Sequence, residues 1–357
     1  MSAHIAGMGW VTPLGAGLDD VWARLMAGDT AEVKTITNPE TGRALAYAPV
    51  PMKLVEALGR NPRLRRSSAI SYFAVAAGLA ALENAGITMT PELAAQTAVV
   101  FAISSGGVAY TRRFYEQLVK QGANAASPLL FPETVYNAPA SHFAAQLGID
   151  GASYTLVGDA SVGLAALKFA EQLLDTSDVS QVVVVGSEEI DWVLCEAYRE
   201  WRLARGADAG SRGALLAEGA AAVVLAREGR TKIATLHDGV SVFRRSEAAA
   251  ALDRVFADLV CESSADAVIG CANGTFVDRI ERAAIAQHCP LAAAYFPKRA
   301  FGEALGASAL MQVIAGALAL AKRGMPGAEH RAVAVKSVLV STLGFNQQAS
   351  GLLLSPA

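Results

Sequence analysis

Cysteine and histidine are both scarce in this chain. Four cysteines and five histidines are spread over 357 residues, without the close Cys/His spacing of a zinc site or the dense pattern of a small disulfide-stabilised protein. We therefore expect reduced thiols and no bound metal. The cysteines are Cys195, Cys261, Cys271 and Cys289, and the histidines are His4, His142, His237, His288 and His330.

Charged residues are also few, at 18% of the chain, and the formal net charge is only −3. A protein without a positive field is a poor candidate for binding nucleic acid. No uninterrupted apolar run reaches the thickness of a bilayer, so the sequence predicts no membrane span. The first predicted strand starts at His4, which leaves no room for a signal peptide and predicts a cytoplasmic protein.

Apolar residues, in contrast, are abundant, at 53% of the chain, and the mean hydropathy is +0.33. A chain of this length can bury a large core. The surplus of apolar residues indicates that a partner covers part of the surface.

Apolar runs and alanine-rich stretches alternate along the chain, which predicts an α/β protein. Two similar halves, 1–230 and 231–357, each contain five strand candidates, and no Pro/Gly/Ser-rich linker divides them, so we expect one intimate unit. Helices are predicted at Ala69–Ala85, Leu164–Leu174 and Ala307–Ala321. The strand candidates are His4–Thr12, Thr97–Ser104, Tyr154–Val157, Val182–Gly186, Ala221–Ala226, Thr231–Phe243, Ala267–Cys271, Ala293–Phe296, Ser337–Thr342 and Gly351–Leu354.

A strand, a tight turn of small residues and a helix follow one another in Tyr154–Leu164. The helix is predicted to begin near Val162, which places the turn at a helix N-terminus, where a thiolate would be stabilised. The residue at the centre of this turn is Ala160. The turn therefore has the form of a nucleophile site without a nucleophile.

This segment resembles the nucleophile elbow of β-ketoacyl-(acyl carrier protein) synthases, T-A-C-S-S-S-L, with Ala160 at the cysteine. Further segments resemble other blocks of that family in the same order, and the ordered set carries the resemblance: Gly7–Gly15, Ser104–Gly107, Ser127–Pro128 with Asn137, and Ala217–Ala221. The resemblance implies a thiolase-like fold, a five-layer α-β-α-β-α sandwich of two duplicated halves, with no cofactor.

The same resemblance bears on catalysis. The family uses one histidine in A-H-G-T and a second in K-x-x-x-x-G-H-x-x-G-A to polarise the thioester and assist decarboxylation. Asn273 and Glu303 stand at these positions, while Lys298, which orders the site in the family, is retained. An amide does not titrate and an ionised carboxylate would repel an oxyanion, so the resemblance implies that no catalytic residue is left.

Ketosynthase-like subunits without the nucleophile are known in this family as chain-length factors, which pair with an active synthase and shape its acyl tunnel. The resemblance therefore implies a heterodimer with an active β-ketoacyl-ACP synthase, formed through the strand at Ala152–Val157, and only an indirect relation to the acyl carrier protein. Ala160 in place of the glutamine usual in aromatic polyketide systems, and a short loop at 205–212, point towards aryl-polyene or related polyene synthesis.

Two segments would face the partner's acyl tunnel in such a pair. Tyr110 and Phe114 are four residues apart on a predicted helix and share a face, but ordinary core aromatics would show the same spacing. The candidates in the following loop are Thr134, Val135 and Tyr136. Phe345 corresponds to the family's gate, and the two glycines that follow the gate in active synthases are replaced here by Asn346 and Gln347, which predicts a lost gate.

Two other functions stay open on the sequence alone. An enzyme with acyl-transfer or hydrolysis chemistry would use Ser161 or Glu303, although a serine at this place is more often a helix-capping residue. A homodimeric acyl-binding protein is the third hypothesis. The basic group Arg60, Arg63, Arg65 and Arg66 is interpreted as a solvated surface, with carrier-protein docking as its alternative.

Overall fold

The computed structural model describes residues 3–208, 210–261, 264–327, 335–345 and 348–357. The helices are α1 (Leu18–Met26), α2 (Ala69–Ala85), α3 (Pro91–Ala95), α4 (Val108–Gln121), α5 (Ala138–Leu147), α6 (Val162–Thr176), α7 (Trp192–Glu200), α8 (Ala248–Val260), α9 (Val277–His288), α10 (Lys298–Phe301) and α11 (Ser308–Lys322). Short 3-10 turns lie at Met52–Leu54, Glu56–Arg60, Ala123–Ala125, Phe131–Glu133, Arg245–Glu247 and Leu305–Ala307.

The strands are β1 (His4–Thr12), β2 (Gly15–Ala16), β3 (Lys34–Thr37), β4 (Ala44–Ala48), β5 (Thr97–Ile103), β6 (Ser153–Val157), β7 (Gln181–Glu188), β8 (Leu216–Ala217), β9 (Gly219–Ala226), β10 (Thr231–Leu236), β11 (Val240–Ser241), β12 (Ala267–Ile269), β13 (Ala293–Tyr295), β14 (Val338–Leu343) and β15 (Gln348–Pro356). The large sheet has the order β13-β12-β14-β15-β10-β1-β9-β7-β5-β6, and β3, β4 and β8 form a small second sheet.

All ten predicted strands are present, and the largest departure from the predicted bounds concerns one of them. The sequence predicted a single strand over Thr231–Phe243, whereas β10 ends at Leu236 and only the short β11 follows. Gly239 has a positive φ of 89°, and its N–H donates to Nδ1 of His237 at 2.8 Å. This tight turn interrupts the extended chain, because a strand residue needs a negative φ.

The elements form the layers that the family resemblance implied. One apolar core lies between α2 and the strands of the first half, and another between α8, α9 and the strands of the second half. The largest core surrounds α6 and α11, which are enclosed between the two halves of the sheet. The order helix, sheet, helix, sheet, helix is a layered α/β sandwich with buried central helices.

Small residues bring α2 and β1 into close contact. A Cβ on Gly7 would lie 2.4 Å from the Ala81 carbonyl oxygen, and one on Gly9 would lie 2.6 Å from that of Ala77. No side chain fits into such gaps, so the glycines of the first strand let an alanine-rich helix pack directly on the sheet.

The segment Leu305–Lys322, which includes α11, is long and apolar enough to cross a membrane by length and composition alone. The apolar run is not uninterrupted, since Ser308 and Gln312 lie within it, but the mean hydropathy of the whole window is 1.5. Within the protein, 89% of this window is buried. The segment is thus packed as a central core helix.

Candidate functional site

The turn at Ala160 has the predicted form of an elbow. Strand β6 ends at Val157, the N–H of Gly158 donates to the Ile103 carbonyl at 3.0 Å, and α6 begins at Val162. Ala160 itself is only 1% exposed. A methyl group therefore occupies a closed position between the end of the strand and the start of the central helix.

Ser161 does not play the predicted capping role. It is the N-cap residue of α6, but its side chain makes no capping hydrogen bond. Its hydroxyl donates instead to the Gln348 carbonyl at 2.8 Å, while Asp159 accepts the Ser161 N–H at 3.2 Å. The prediction was wrong because the serine hydroxyl holds the neighbouring strand β15, while the Ser161 carbonyl accepts the Leu164 N–H at 3.0 Å.

The structure brings Asn273, Lys298 and Glu303 together in the interior. One oxygen of Glu303 accepts hydrogen bonds from Asn273 Nδ2 and Lys298 Nζ, each at 2.8 Å, and the other accepts from the Ser308 hydroxyl at 2.6 Å. The side chains of Lys298 and Glu303 are 2% and 0% exposed. Both oxygens of the Glu303 carboxylate therefore accept hydrogen bonds from other side chains of the protein.

The ammonium of Lys298 is ion-paired with Glu303. Burial alone would lower the pKa of Lys298, but the attraction of Glu303, together with Cys271 and Glu281, raises it above the usual lysine value. The lysine is therefore charged and hydrogen-bonded at neutral pH. A group in this state is neither a base nor a nucleophile.

Tyr198 connects the elbow with this buried pair. Burial raises the pKa of its phenol, and the carboxylates of Glu188, Glu303 and Asp159 raise it further. These three carboxylates belong to three segments that are far apart in the sequence. The elbow and Tyr198 also share a cavity, because Asp159 and Tyr198 both line it.

A cavity of about 510 Å³ opens beside the elbow. Two aromatic contacts shape one wall, since the ring centroid of Tyr198 lies 5.4 Å from Trp201 and 5.7 Å from Phe345. The predicted gate residue Phe345 is thus at the cavity, while Asn346 and Gln347, on which the lost-gate prediction depends, lie outside the described residues. The lining residues are Ser104, Val157, Gly158, Asp159, Tyr198, Trp201, Leu203 and Phe345.

The predicted tunnel residues lie at the protein surface. Helix α4 has no buried residue, so Tyr110 and Phe114 are half-buried and are not core aromatics. Phe114 packs on the ring of Phe131 at 5.6 Å, which joins the helix to the following loop. In that loop Thr134 is half-buried, whereas Val135 and Tyr136 are exposed.

Sequence reasoning missed a serine, a histidine and a carboxylate that meet between α2 and α5. His142 Nε2 lies 3.2 Å from the Ser67 hydroxyl and 2.6 Å from Glu133 Oε1. A catalytic triad needs its serine and its carboxylate on opposite ring nitrogens, whereas both contacts here use the same one. We interpret the cluster as a structural contact that fixes the loop of Glu133 to α5.

Two buried carboxylates were also missed. Burial raises the pKa of Glu188 to about 8, although the N–H groups of Ser104, Ser105 and Gly306 oppose the shift. Burial likewise raises the pKa of Glu218 to about 7. Glu188 accepts the N–H groups of Ser104 and Ser105 and so positions the loop that brings Ser104 to the cavity, whereas Glu218 accepts the Val50 N–H.

The remaining expectations concern metals and the basic group. Across the described ranges, no cluster of three or more His, Cys, Asp or Glu side chains could hold a metal ion. The four cysteines are unpaired. All four arginines of the basic group are exposed, and Arg63 donates to the Ala145 carbonyl at 3.0 Å.

Known proteins resemble this chain in sequence and in fold. The sequence model for "Beta-ketoacyl synthase, N-terminal domain" matches residues 3–230. A 3-oxoacyl-[acyl-carrier-protein] synthase 2 of Vibrio cholerae is 24% identical over 186 residues, which cover 52% of this chain and 45% of the relative. The chain thus matches about half the length of such curated relatives.

Solved structures match over the whole chain. The ishigamide ketosynthase/chain length factor has a TM-score of 0.85 at 19% identity, covering 100% of this chain and 99% of that one. A ketosynthase in complex with its chain length factor from Xenorhabdus doucetiae has a TM-score of 0.77 at 16% identity, covering 100% and 98%. The fold is thiolase-like, and this chain belongs to the β-ketoacyl synthase family.

Proposed function

We propose that this chain is a non-catalytic ketosynthase-like subunit, a chain-length factor, which forms a heterodimer with an active β-ketoacyl-ACP synthase and shapes its acyl tunnel. The observation that carries the proposal is a sheet edge that no described strand pairs with, together with an amphipathic helix, α4, whose apolar side chains Tyr115 and Val119 are exposed. Both features call for a protein partner, while the elbow holds a methyl group in place of a nucleophile.

The unpaired edge is strand β6. It is the last strand of the large sheet, and no other described strand pairs with its outer side. The N–H of Val99 donates to the Ala152 carbonyl, and that of Gly158 donates to Ile103. Since successive residues alternate in direction, the N–H groups of residues 153, 155 and 157 point away from β5, towards a partner strand.

The apolar surface lies on α4 and the loop that follows it. Val119 is 81% exposed and Tyr136 is 48% exposed. Tyr115, Leu129 and Phe131 are exposed in the same two segments. A group of large apolar side chains exposed to solvent is typical of an interaction surface. Helix α4 starts five residues after the end of β5, the strand that pairs with β6.

The buried polar groups favour a supporting role over chemistry. Ala160 has no reactive atom, the Asn273 amide cannot exchange a proton near neutral pH, and Glu303 is held by its buried lysine. A decarboxylative condensation needs a thiolate and donors aimed at a developing oxyanion. These three positions supply neither, which supports a subunit that depends on its partner for catalysis.

The relatives' names point in the same direction, because two of the matched structures are named as ketosynthases with chain length factors. We extend the proposal to polyene-type synthesis, aryl polyenes included, in the cytoplasm. Tyr110, Phe114, Thr134, Val135, Tyr136 and Phe345 are assigned to the tunnel or to the partner-facing surface. The acyl carrier protein would dock on the active subunit and meet this chain only indirectly.

Reconstitution tests the proposal. The ketosynthase encoded nearest to this chain's gene is assayed for condensation with and without the chain, and the products are separated by length. The proposal predicts that condensation or product length depends on this chain, while the chain alone gives no turnover and no acyl-protein adduct. An isolated chain that hydrolyses or transfers an acyl thioester would overturn it in favour of an enzyme using its own serine or carboxylate.

A further inference from the structure

Helix α4 lacks the buried apolar face that usually fixes a helix on a fold. None of its residues is buried, and its N-cap residue, Gly107, has no side chain that could accept a hydrogen bond. Most helices in proteins are stabilised by packing of an apolar face, and their first N–H groups need an acceptor from outside the helix. Polar contacts with the rest of the protein therefore determine where α4 lies.

A carboxyl group at the end of β7 caps this helix. Glu189 is 2% exposed, and its Oε1 accepts the Ala109 N–H, in the first turn of α4, at 3.0 Å. Its Oε2 accepts the Ile70 N–H, in the first turn of α2, at 3.1 Å, and also the Ser68 hydroxyl. A residue 80 positions away from Ala109 thus supplies the cap that Gly107 lacks.

Asp191 holds the same helix from the side. This residue is 4% exposed, and its two carboxylate oxygens lie 2.9 and 3.1 Å from Arg112 Nε. Arg112 Nη1 in turn donates to Glu116, one turn further along α4, at 2.9 Å. Charge-assisted hydrogen bonds are strong and directional, so this contact sets how α4 is rotated about its axis and which side chains face solvent.

The same carboxylate also fixes the helix that forms one wall of the cavity. Asp191 is the N-cap residue of α7, and its Oδ1 accepts the Val193 N–H at 3.2 Å. Helix α7 carries Tyr198, and Trp201 follows its last residue; both side chains line the cavity beside the elbow. One buried side chain thus holds the start of α7 and the side of α4.

We infer that Asp191 is a positioning residue, which acts through Arg112 to orient the exposed apolar surface of α4 relative to the cavity. The inference rests on the proposed function, because that proposal assigns α4 to the surface that meets the ketosynthase. A change in the rotation of α4 moves Phe114 and Tyr115 without opening the core, since the helix contributes no buried residue. Asp191 thereby sets the affinity for the ketosynthase and the length of the product.

Asp191→Asn separates the two contacts of this carboxylate. Asparagine is as good an N-cap residue as aspartate, so α7 keeps its cap, whereas Arg112 loses its charged acceptor. Arg112→Met breaks the same contact from the side of α4, and the double variant removes both partners. Lys120→Met is the matched control, because it removes an exposed charge from the last turn of the same helix.

Hydrogen exchange of the isolated full-length chain, followed by mass spectrometry, tests the positioning without any partner. The backbone amides of α4 should exchange about tenfold faster in Asp191→Asn and in Arg112→Met than in the wild type, while those of α2 and β7 keep their protection. The double variant should exchange α4 no faster than either single variant, because all three lose the same contact. Wild-type exchange of α4 in both single variants would overturn the inference.

Reconstitution with the ketosynthase encoded nearest to this chain's gene measures the consequence for the partner. Both single variants should bind it about tenfold more weakly than the wild type and give a broader range of product lengths, whereas Lys120→Met should match the wild type. Unchanged affinity and product length in both single variants, beside a wild-type chain that binds, would overturn the inference alone. A wild-type chain that binds no ketosynthase would instead overturn the proposed function, and with it the role of α4 towards a partner.

Discussion

Lys298 Nζ lies 2.8 Å from Glu303 Oε2, and both side chains are almost completely excluded from solvent. The pair joins the start of α10 to the segment before α11. The resemblance in sequence implies that these two residues stand where the family pattern has a lysine and a catalytic histidine. Lys298 and Glu303 therefore form a buried ion pair at the place where the resemblance would put a catalytic site.

The first prediction concerns this pair. Glu303→Gln leaves the Lys298 ammonium buried without its counter-ion, which is expected to lower the free energy of unfolding by about 3–5 kcal/mol. The double variant Lys298→Met/Glu303→Leu removes both charges and is expected to lose less than Glu303→Gln alone. Urea denaturation of the three proteins measures this. A single variant as stable as the wild type would contradict the account.

The second prediction concerns the sheet edge. Thr155→Pro removes an N–H that points away from β5, so the chain should keep its fold and its circular dichroism. The same change removes a donor to a partner strand, and we expect loss of the heterodimer in gel filtration. Thr155→Val, which keeps the N–H, is the control. Association of Thr155→Pro at wild-type strength would place the interface elsewhere.

The third prediction concerns α4. Phe114 is half-buried on a helix without buried residues, so Phe114→Ala should change the unfolding free energy by less than about 1 kcal/mol. If the ring limits the partner's tunnel, the reconstituted pair should make longer products, as mass spectrometry would show. Lys120→Ala, exposed on the same helix, should leave product length unchanged. Products of identical length from Phe114→Ala and the wild type would show that Phe114 does not limit the tunnel.

The fourth prediction concerns pH. Glu188 and Glu218 have folded-state pKa values of about 8 and about 7, raised by burial from 4.5. Between pH 4.5 and these values the folded protein holds protons that the unfolded chain has released, so stability must fall as the pH rises. We expect the free energy of unfolding to decrease from about pH 5 to about pH 8.

Two variants test whether a buried carboxylate causes this pH dependence of stability. Glu218→Gln should flatten the decline below about pH 7, because the amide does not titrate. Glu228→Gln, which changes an exposed carboxylate, should keep the wild-type slope. Urea denaturation at a series of pH values makes the comparison. A stability that rises with pH over this window would contradict the burial of these two groups.

Much of the fold followed from local sequence. The bounds of α2 were predicted to the residue, because its alanine-rich run is followed by Gly86, which has a positive φ of 72° and ends the helix. The elbow followed from an apolar strand, small residues and a helix in succession. The strand predicted over Thr231–Phe243 failed at Gly239, where a positive φ ends the extended chain.

The site was less predictable than the fold. The resemblance pointed to Asn273, Lys298 and Glu303, but no local pattern reveals that an amide and a carboxylate 30 residues apart share a hydrogen bond. The role of Ser161 was misread, because its hydroxyl donates to the Gln348 carbonyl, 187 residues away in the sequence. Contacts of this kind depend on tertiary packing, which a single sequence does not encode in any short window.

The most direct test of the central claim is the native mass of this chain after co-expression with the ketosynthase encoded nearest to it. Our account predicts a complex that contains one copy of each chain and that separates when Thr155 is replaced by proline. A homodimer of this chain alone, formed in the presence of a folded and active ketosynthase, would contradict the assignment as a partner subunit.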